Sequence, residues 1–169
     1  MPPIKQLISI FILAILLTAC SAEEVNTTSS EPLTISVELA DGPMERPRYG
    51  VAIKATLTNN TADTLRYGTL SCSWQDTYIL DTEELRIQGT SCDKNIPKLA
   101  AIPPRGKEKK IMVLVTDRSV EKSPAIRFRV GFHWLNASNY QEAFEKIEQL
   151  QNTGIKNTEN IVWSNPVEF

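Results

Sequence analysis

The stretch that decides the fold is "AIRFRVGFHWL", residues 125–135. Ile126, Phe128, Val130, Phe132 and Trp134 alternate strictly with Arg127, Arg129 and His133. A period of two is the signature of a β-strand with one face on a core and one toward water. The first set is therefore expected to point inward. Arg127, Arg129 and His133 are expected on the polar, solvated face.

Shorter runs of the same kind flank it, separated by turn clusters, and together they predict an all-β antiparallel sandwich. "LTISVEL" (33–39) places Ile35, Val37 and Leu39 on one side, and "YGVAIKATL" (49–57) does the same with Val51, Ile53, Ala55 and Leu57. "TNNTADT" is a turn by composition. "LRYGTLSCSW" (65–74) returns from it with a phase change near Gly68 that suggests a bulge. "TYIL" (77–80) and "ELRIQ" (84–88) are weaker strands. "IPKLAAIPPRGKEKK" (96–110) reads as a Pro-punctuated connection ending in a Gly turn. It leads into "IMVLVT" (111–116), a central strand because it is apolar on both faces. "NIVWSNPVEF" (160–169) is expected to be one final strand.

One segment departs from the pattern. In "ASNYQEAFEKIEQLQNTG" (137–154) Tyr140, Phe144, Ile147 and Gln151 recur at helical spacing, with Leu150 beside them. Ser138 with Gln141, or Asn139 with Glu142, supplies a capping pattern, and Gly154 a stop. A short helix between the last two strands is expected to lay that side on the sandwich edge or over an open end.

At the amino end Lys5 precedes a 13-residue apolar run, Leu7–Ala19. As a helix it would span roughly 20 Å, short of the ~30 Å of a bilayer's hydrocarbon. It is therefore a secretory signal in form. Its end, Leu17-Thr18-Ala19-Cys20, resembles the lipobox of bacterial lipoproteins. That resemblance implies lipidation of Cys20, cleavage before it and anchoring to a membrane through acyl chains, where two or three chains hold permanently. The sequons at Asn26, Asn59 and Asn136 carry no weight in such a protein.

"SAEEVNTTSSEP" then forms a polar tether. Ser21 stands where Asp would resemble an inner-membrane retention signal, which favours the outer membrane. Ser-Ala-Glu-Glu is similar to the acidic export motif of surface lipoproteins, so surface display is a further expectation. The expected division is signal peptide 1–19, lipidated Cys and tether 20–32, and sandwich 33–169.

The mature chain would keep 150 residues, enough for one domain with a core. Losing Lys5 takes the 18 basic residues to 17 against 20 acidic, about −3. No general basic field exists to draw nucleic acid, which is set aside as a partner. With Cys20 lipidated in an oxidising compartment, Cys72 and Cys92 remain as a pair, and a disulfide is expected.

Residues 49–135 resemble the immunoglobulin-like domains of bacterial lipoproteins. The resemblance rests on "IKATLTNNTADTL", on "IPPRGKEKK" before "IMVLV", and on "RFRVGFHW". Cys72 and Cys92 lie 20 positions apart, unlike the long-range pair joining the sheets of antibody domains. Their bond is therefore expected to staple the intervening excursion into a rigid, displayed loop.

That loop holds the candidate binding residues Trp74, Asp76, Tyr78, Asp81, Glu83 and Glu84. Carboxylates at this spacing suit Ca²⁺ or a hydrolytic pair, but they match no EF-hand, and a charged solvated turn is the ordinary reading. Lys94, Lys98, Arg105, Lys107, Lys109 and Lys110 form a candidate basic patch for an acidic partner. Trp134 and Trp163 are assigned to the core. His133, the only histidine, has no nucleophile motif around it and reads as a surface residue. No catalytic residue, cofactor or metal is expected.

The function so implied is a non-enzymatic binding or accessory module for an envelope protein or glycan. Inhibition of an envelope protease or other hydrolase is the alternative, because the strand–turn features are distantly similar to bacterial Ig-like proteinase inhibitors.

Overall fold

A computed structural model describes residues 31–40, 50–90, 92–117, 125–153 and 160–168. The signal peptide, Cys20 and most of the tether lie outside the described residues, as does Gly154. The described chain is antiparallel β-structure with a single helix late in the sequence.

One layer contains β1 (Leu33–Leu39), β2 (Gly50–Asn59), β7 (Lys107–Val115) and β5 (Arg86–Ile87), in the order β1-β2-β7-β5. The other layer is built from β4 (Tyr78–Leu80), β9 (Val130–His133) and β10 (Ile161–Trp163), in the order β10-β9-β4. Two further pairs complete it: β8 (Arg127–Phe128) with β11 (Val167–Glu168), and β3 (Leu65–Leu70) with β6 (Pro97–Ile102).

Alternation puts Ile53, Leu57, Met112 and Leu114 in one cluster with Tyr67, Ile102, Phe128, Val130 and Phe132. Phe132 is wholly buried and touches two tyrosine rings, Tyr67 edge-on at 5.3 Å and Tyr78 at 5.0 Å. Each such ring pair contributes about 0.5–1.5 kcal/mol beyond the area it hides.

Several elements depart from the sequence expectation. The run 125–135 keeps its alternation but breaks into β8 and β9 at Arg129, whose backbone N–H donates to Asp81 Oδ1 at 2.7 Å. The expected final strand also divides. Phe128 pairs with Val167 and Gly131 with Trp163, so Arg129 and Val130 face three residues, Ser164, Asn165 and Pro166. This is a bulge. It turns the Asn165 amide onto β1, donating to Val37 O at 3.0 Å and accepting from Val37 N–H at 2.9 Å. The outer edge of β1 is thereby occupied at its middle.

The expected connection at 96–110 is instead largely strand: β6 pairs with β3, the turn Pro103–Gly106 follows, and β7 starts in the opposite layer beside β2. Its alternating charges simulate a loop while lying on a strand. No bulge occurs at Gly68, because β3 and β6 pair in unbroken register. The apolar phase change there records a second covering layer.

That cover is α1 (Tyr140–Thr153), which packs on the outer face of β3 and β6 rather than on the sandwich edge. A Cβ at Gly68 would stand 3.0 Å from Ala143 O, so glycine allows the helix its close approach. Ala143 and Ile147 are buried by this contact, whereas Tyr140 and Phe144 are exposed. The buried face is thus rotated from the expected one, because the small pair Gly68–Ala143 sets the closest contact. Asn139 Oδ1 caps the Glu142 N–H at 3.0 Å, and Glu142 Oε2 accepts from the Ser138 N–H at 2.8 Å.

Candidate functional site

The stapled excursion starts where β3 ends. Ser71 N–H donates to Ile96 O at 2.9 Å, and Asn95 Oδ1 accepts from Ser73 N–H at 3.1 Å. Cys72 and Cys92 are disulfide-bonded, with Cα atoms 6.2 Å apart. Inside the bridge a 3-10 turn, Trp74–Thr77, is closed by the Thr77 hydroxyl donating to Trp74 O at 2.7 Å. The chain then enters one layer as β4, beside β9, and crosses to the other as β5, beside β7.

The expected displayed loop is therefore a strap woven into both layers. Tyr78 is only 4 % exposed and Leu85 3 %, so both belong to the core rather than to a displayed loop. Trp74 is half-buried, edge-on to Tyr78 at 5.8 Å. The carboxylates do not converge. Asp81 Oδ2 accepts from Arg129 Nε at 2.8 Å. Partial burial pushes the Asp81 carboxyl up, but the Arg129 bonds outweigh it and leave it below its usual value. Glu83 and Glu84 are exposed. Among the described residues no three His, Cys, Asp or Glu side chains gather as metal ligands.

What the strap does enclose is a groove of about 300 Å³ between the 3-10 turn, β4 and β5. Gln75, Asp76, Thr82 and Arg86 line it over an apolar floor that includes Ile79, Leu85 and Ile87. Burial raises the Asp76 carboxyl above its ordinary pKa. Gln75 Nε2 donates to Thr90 Oγ1 at 2.6 Å, while its Oε1 is buried without a partner among the described residues. An acceptor so placed suits a ligand that brings an N–H or O–H.

The six basic residues do not form one patch. Lys94 is exposed beyond Cys92, Lys98 lies on β6, and Arg105 sits in the turn between β6 and β7 with φ 55. Lys107 and Lys109 project from the outer face of β7. Lys110 turns the other way, 2.8 Å from Glu108 Oε1 and 5.2 Å from the Trp74 ring centre. Glu108, not singled out by the sequence, also accepts from the buried Tyr67 hydroxyl at 2.6 Å. Burial and then this carboxylate push the Tyr67 hydroxyl far above its usual pKa.

Two aromatic and histidine assignments change as well. Trp134 packs partly against the core, but Trp163 lies outside it, beneath the Arg129 guanidinium at 5.1 Å. Its ring helps close the outer face of its sheet over Gly131, where a Cβ would stand 2.9 Å from Trp163 Cζ3. His133 is 2 % exposed, not a surface residue; it lies at the end of β9, on the wall of a cleft whose other side is α1. Alternation reports a face, and only tertiary packing decides whether that face meets water.

No protein-family model matches this chain, and no curated protein matches it either.

Proposed function

We propose that this chain is a lipid-anchored envelope protein whose sandwich holds the strap between Cys72 and Cys92 as a non-enzymatic binding module. The anchor rests on Leu17-Thr18-Ala19-Cys20, and the module on the strap's groove. The single observation that carries the binding reading is the buried, unpartnered Gln75 Oε1 beside the raised Asp76 carboxyl. A strap fixed by a disulfide and two strand pairings loses little freedom on binding, which favours affinity. Its Ig-like setting gives rigidity and says nothing about the ligand. A strap lying in both layers suits a docking platform better than a loop thrust into an enzyme's cleft, which favours binding over hydrolase inhibition.

Metabolic labelling with palmitate tests the anchor. Label should enter the wild-type chain and be absent from Cys20→Ser. For the module, an envelope partner captured by the wild-type protein should be lost with Gln75→Leu and with Asp76→Leu. Partner capture indifferent to both changes, or slowing of envelope proteases or lysozyme by the protein, would overturn this reading in favour of another surface or of inhibition.

A further inference from the structure

A second cleft, of about 420 Å³, lies between the end of β9 and α1. Its walls are the end of β9 with residues 134–136 and one helix face, where Lys146, Gln149, Leu150 and Thr153 recur at i, i+3, i+4 and i+7. Asn160 closes the rim. It is held at φ 61, and its carbonyl accepts the Trp134 N–H at 2.9 Å. His133 lines this cleft, 2 % exposed, and its Nε2 has no hydrogen-bond partner among the described residues. A buried polar atom without a partner is uncommon enough to need an explanation, and an absent ligand is one.

We infer that this cleft binds a neutral polyhydroxy ligand of monosaccharide size, with His133 Nε2 hydrogen-bonded to a ligand hydroxyl. Three features select that chemistry. A hydroxyl donates and accepts, so it pairs with Nε2 in either tautomer of the neutral ring. The amides of Asn136, Gln149 and Asn160 likewise carry both functions around one small space, and the Thr153 hydroxyl, which donates to Gln149 O, adds an acceptor. Among the described residues the one cation in the lining, Lys146, is already paired with Glu142 Oε1 at 2.7 Å and donates to Asn136 O, so it is not an uncommitted charge awaiting an anion. The volume lies within the range of small-molecule sites.

The single histidine makes the test direct. The full chain, labelled with ¹⁵N-histidine in zwitterionic micelles, gives one imidazole signal to follow. Glucose and N-acetylglucosamine should each be titrated to about 20 mM, well above the dissociation constant of about 1 mM expected for so few ligand atoms. At least one should shift the Nε2 resonance saturably. Gln149→Leu with Thr153→Val, at exposed or rim positions of the helix, should weaken that response about tenfold. Asn160→Gly, which keeps the left-handed backbone and removes the amide, should weaken it similarly. The inference is overturned by no shift with either sugar, by a larger response to phosphate than to both, or by an unchanged response in the folded variants.

Discussion

Two buried polar side chains, Asn59 and His133, sit in opposite circumstances. Asn59 is fully buried at the end of β2, and each of its polar atoms is used. Its Nδ2 donates to Asp63 O at 2.7 Å, Pro103 O at 2.9 Å and Ile102 O at 3.1 Å. Its Oδ1 accepts from the Thr61 N–H at 2.8 Å and the Thr61 hydroxyl at 2.7 Å. One amide thus ties the β2–β3 turn to the β6–β7 turn. His133 is as deeply buried, yet its Nε2 contacts no donor or acceptor among the described residues. A satisfied buried group holds a fold together, while an unsatisfied one weakens it unless something else completes it.

The largest expected effect follows from Asn59. Asn59→Ala removes five interactions; Ile102 O loses its amide donor, while Pro103 O keeps the Gly106 N–H and Asp63 O the Thr61 hydroxyl. At roughly 1 kcal/mol per bond, the substitution should lower the unfolding free energy by about 4 kcal/mol. Urea denaturation reads this as a drop in midpoint with an unchanged slope. A loss below about 1 kcal/mol would mean that water replaces the amide without penalty, and the contrast with His133 would collapse.

Glu108→Ala is expected to be intermediate. It leaves the Tyr67 hydroxyl, on a residue 2 % exposed, without its acceptor, and it frees Lys110 from its partner. The expected loss is about 2 kcal/mol. Glu108→Gln retains an acceptor for Tyr67 and should lose less than half of that. Equal losses in the two variants would assign the effect to the Lys110 charge pair instead.

These residues also mark what the sequence allowed a reader to see. The inward set Ile126, Phe128, Val130 and Phe132 was legible because alternation is a local property. The helix at Tyr140–Thr153 was legible from its spacing and from the Asn139–Glu142 cap. The disulfide followed from the lipobox reading of Cys20. Asn59 was hidden because a polar residue between a strand and a turn looks the same whether it faces solvent or three carbonyls. Glu108 and Lys110 were hidden because a run of charges suggests a loop, although alternate members of it face opposite sides of β7. The rotated helix face depended on Gly68, 75 positions before Ala143, and no local pattern links them. The groove at Gln75 and the cleft at His133 both arise where distant elements meet, so neither left a motif.

Arg105 sharpens the comparison from the Asn59 end. It adopts φ 55 in the Pro103–Gly106 turn, a backbone region that costs a residue with a side chain about 1 kcal/mol. The Asn59 bonds to Ile102 O and Pro103 O hold the turn in that shape. Arg105→Gly should raise stability by about 0.5–1 kcal/mol, less whatever glycine adds to the freedom of the unfolded chain. The midpoint of thermal unfolding should rise by a few degrees. A fall would show that the Arg105 side chain contributes contacts that outweigh the backbone strain.

The smallest effect is expected at His133 itself. His133→Phe keeps a ring in the space and removes the unpartnered nitrogen, so stability near pH 8 should change by no more than about 1 kcal/mol in either direction. The two proteins should then part as the pH falls. Burial lowers the His133 pKa below its ordinary 6.5. Between its folded value and 6.5 the unfolded chain therefore takes up a proton that the native chain refuses. Stability in that window declines as pH drops, and the decline stops once the native ring is protonated. Urea midpoints measured from pH 8 to pH 5 should fall further for the wild type than for His133→Phe. Parallel curves would mean that the imidazole is charged as readily inside the protein as outside it. A loss at pH 8 as large as that of Asn59→Ala would mean that His133 is a structural tie after all, and the two buried groups would then belong to one class.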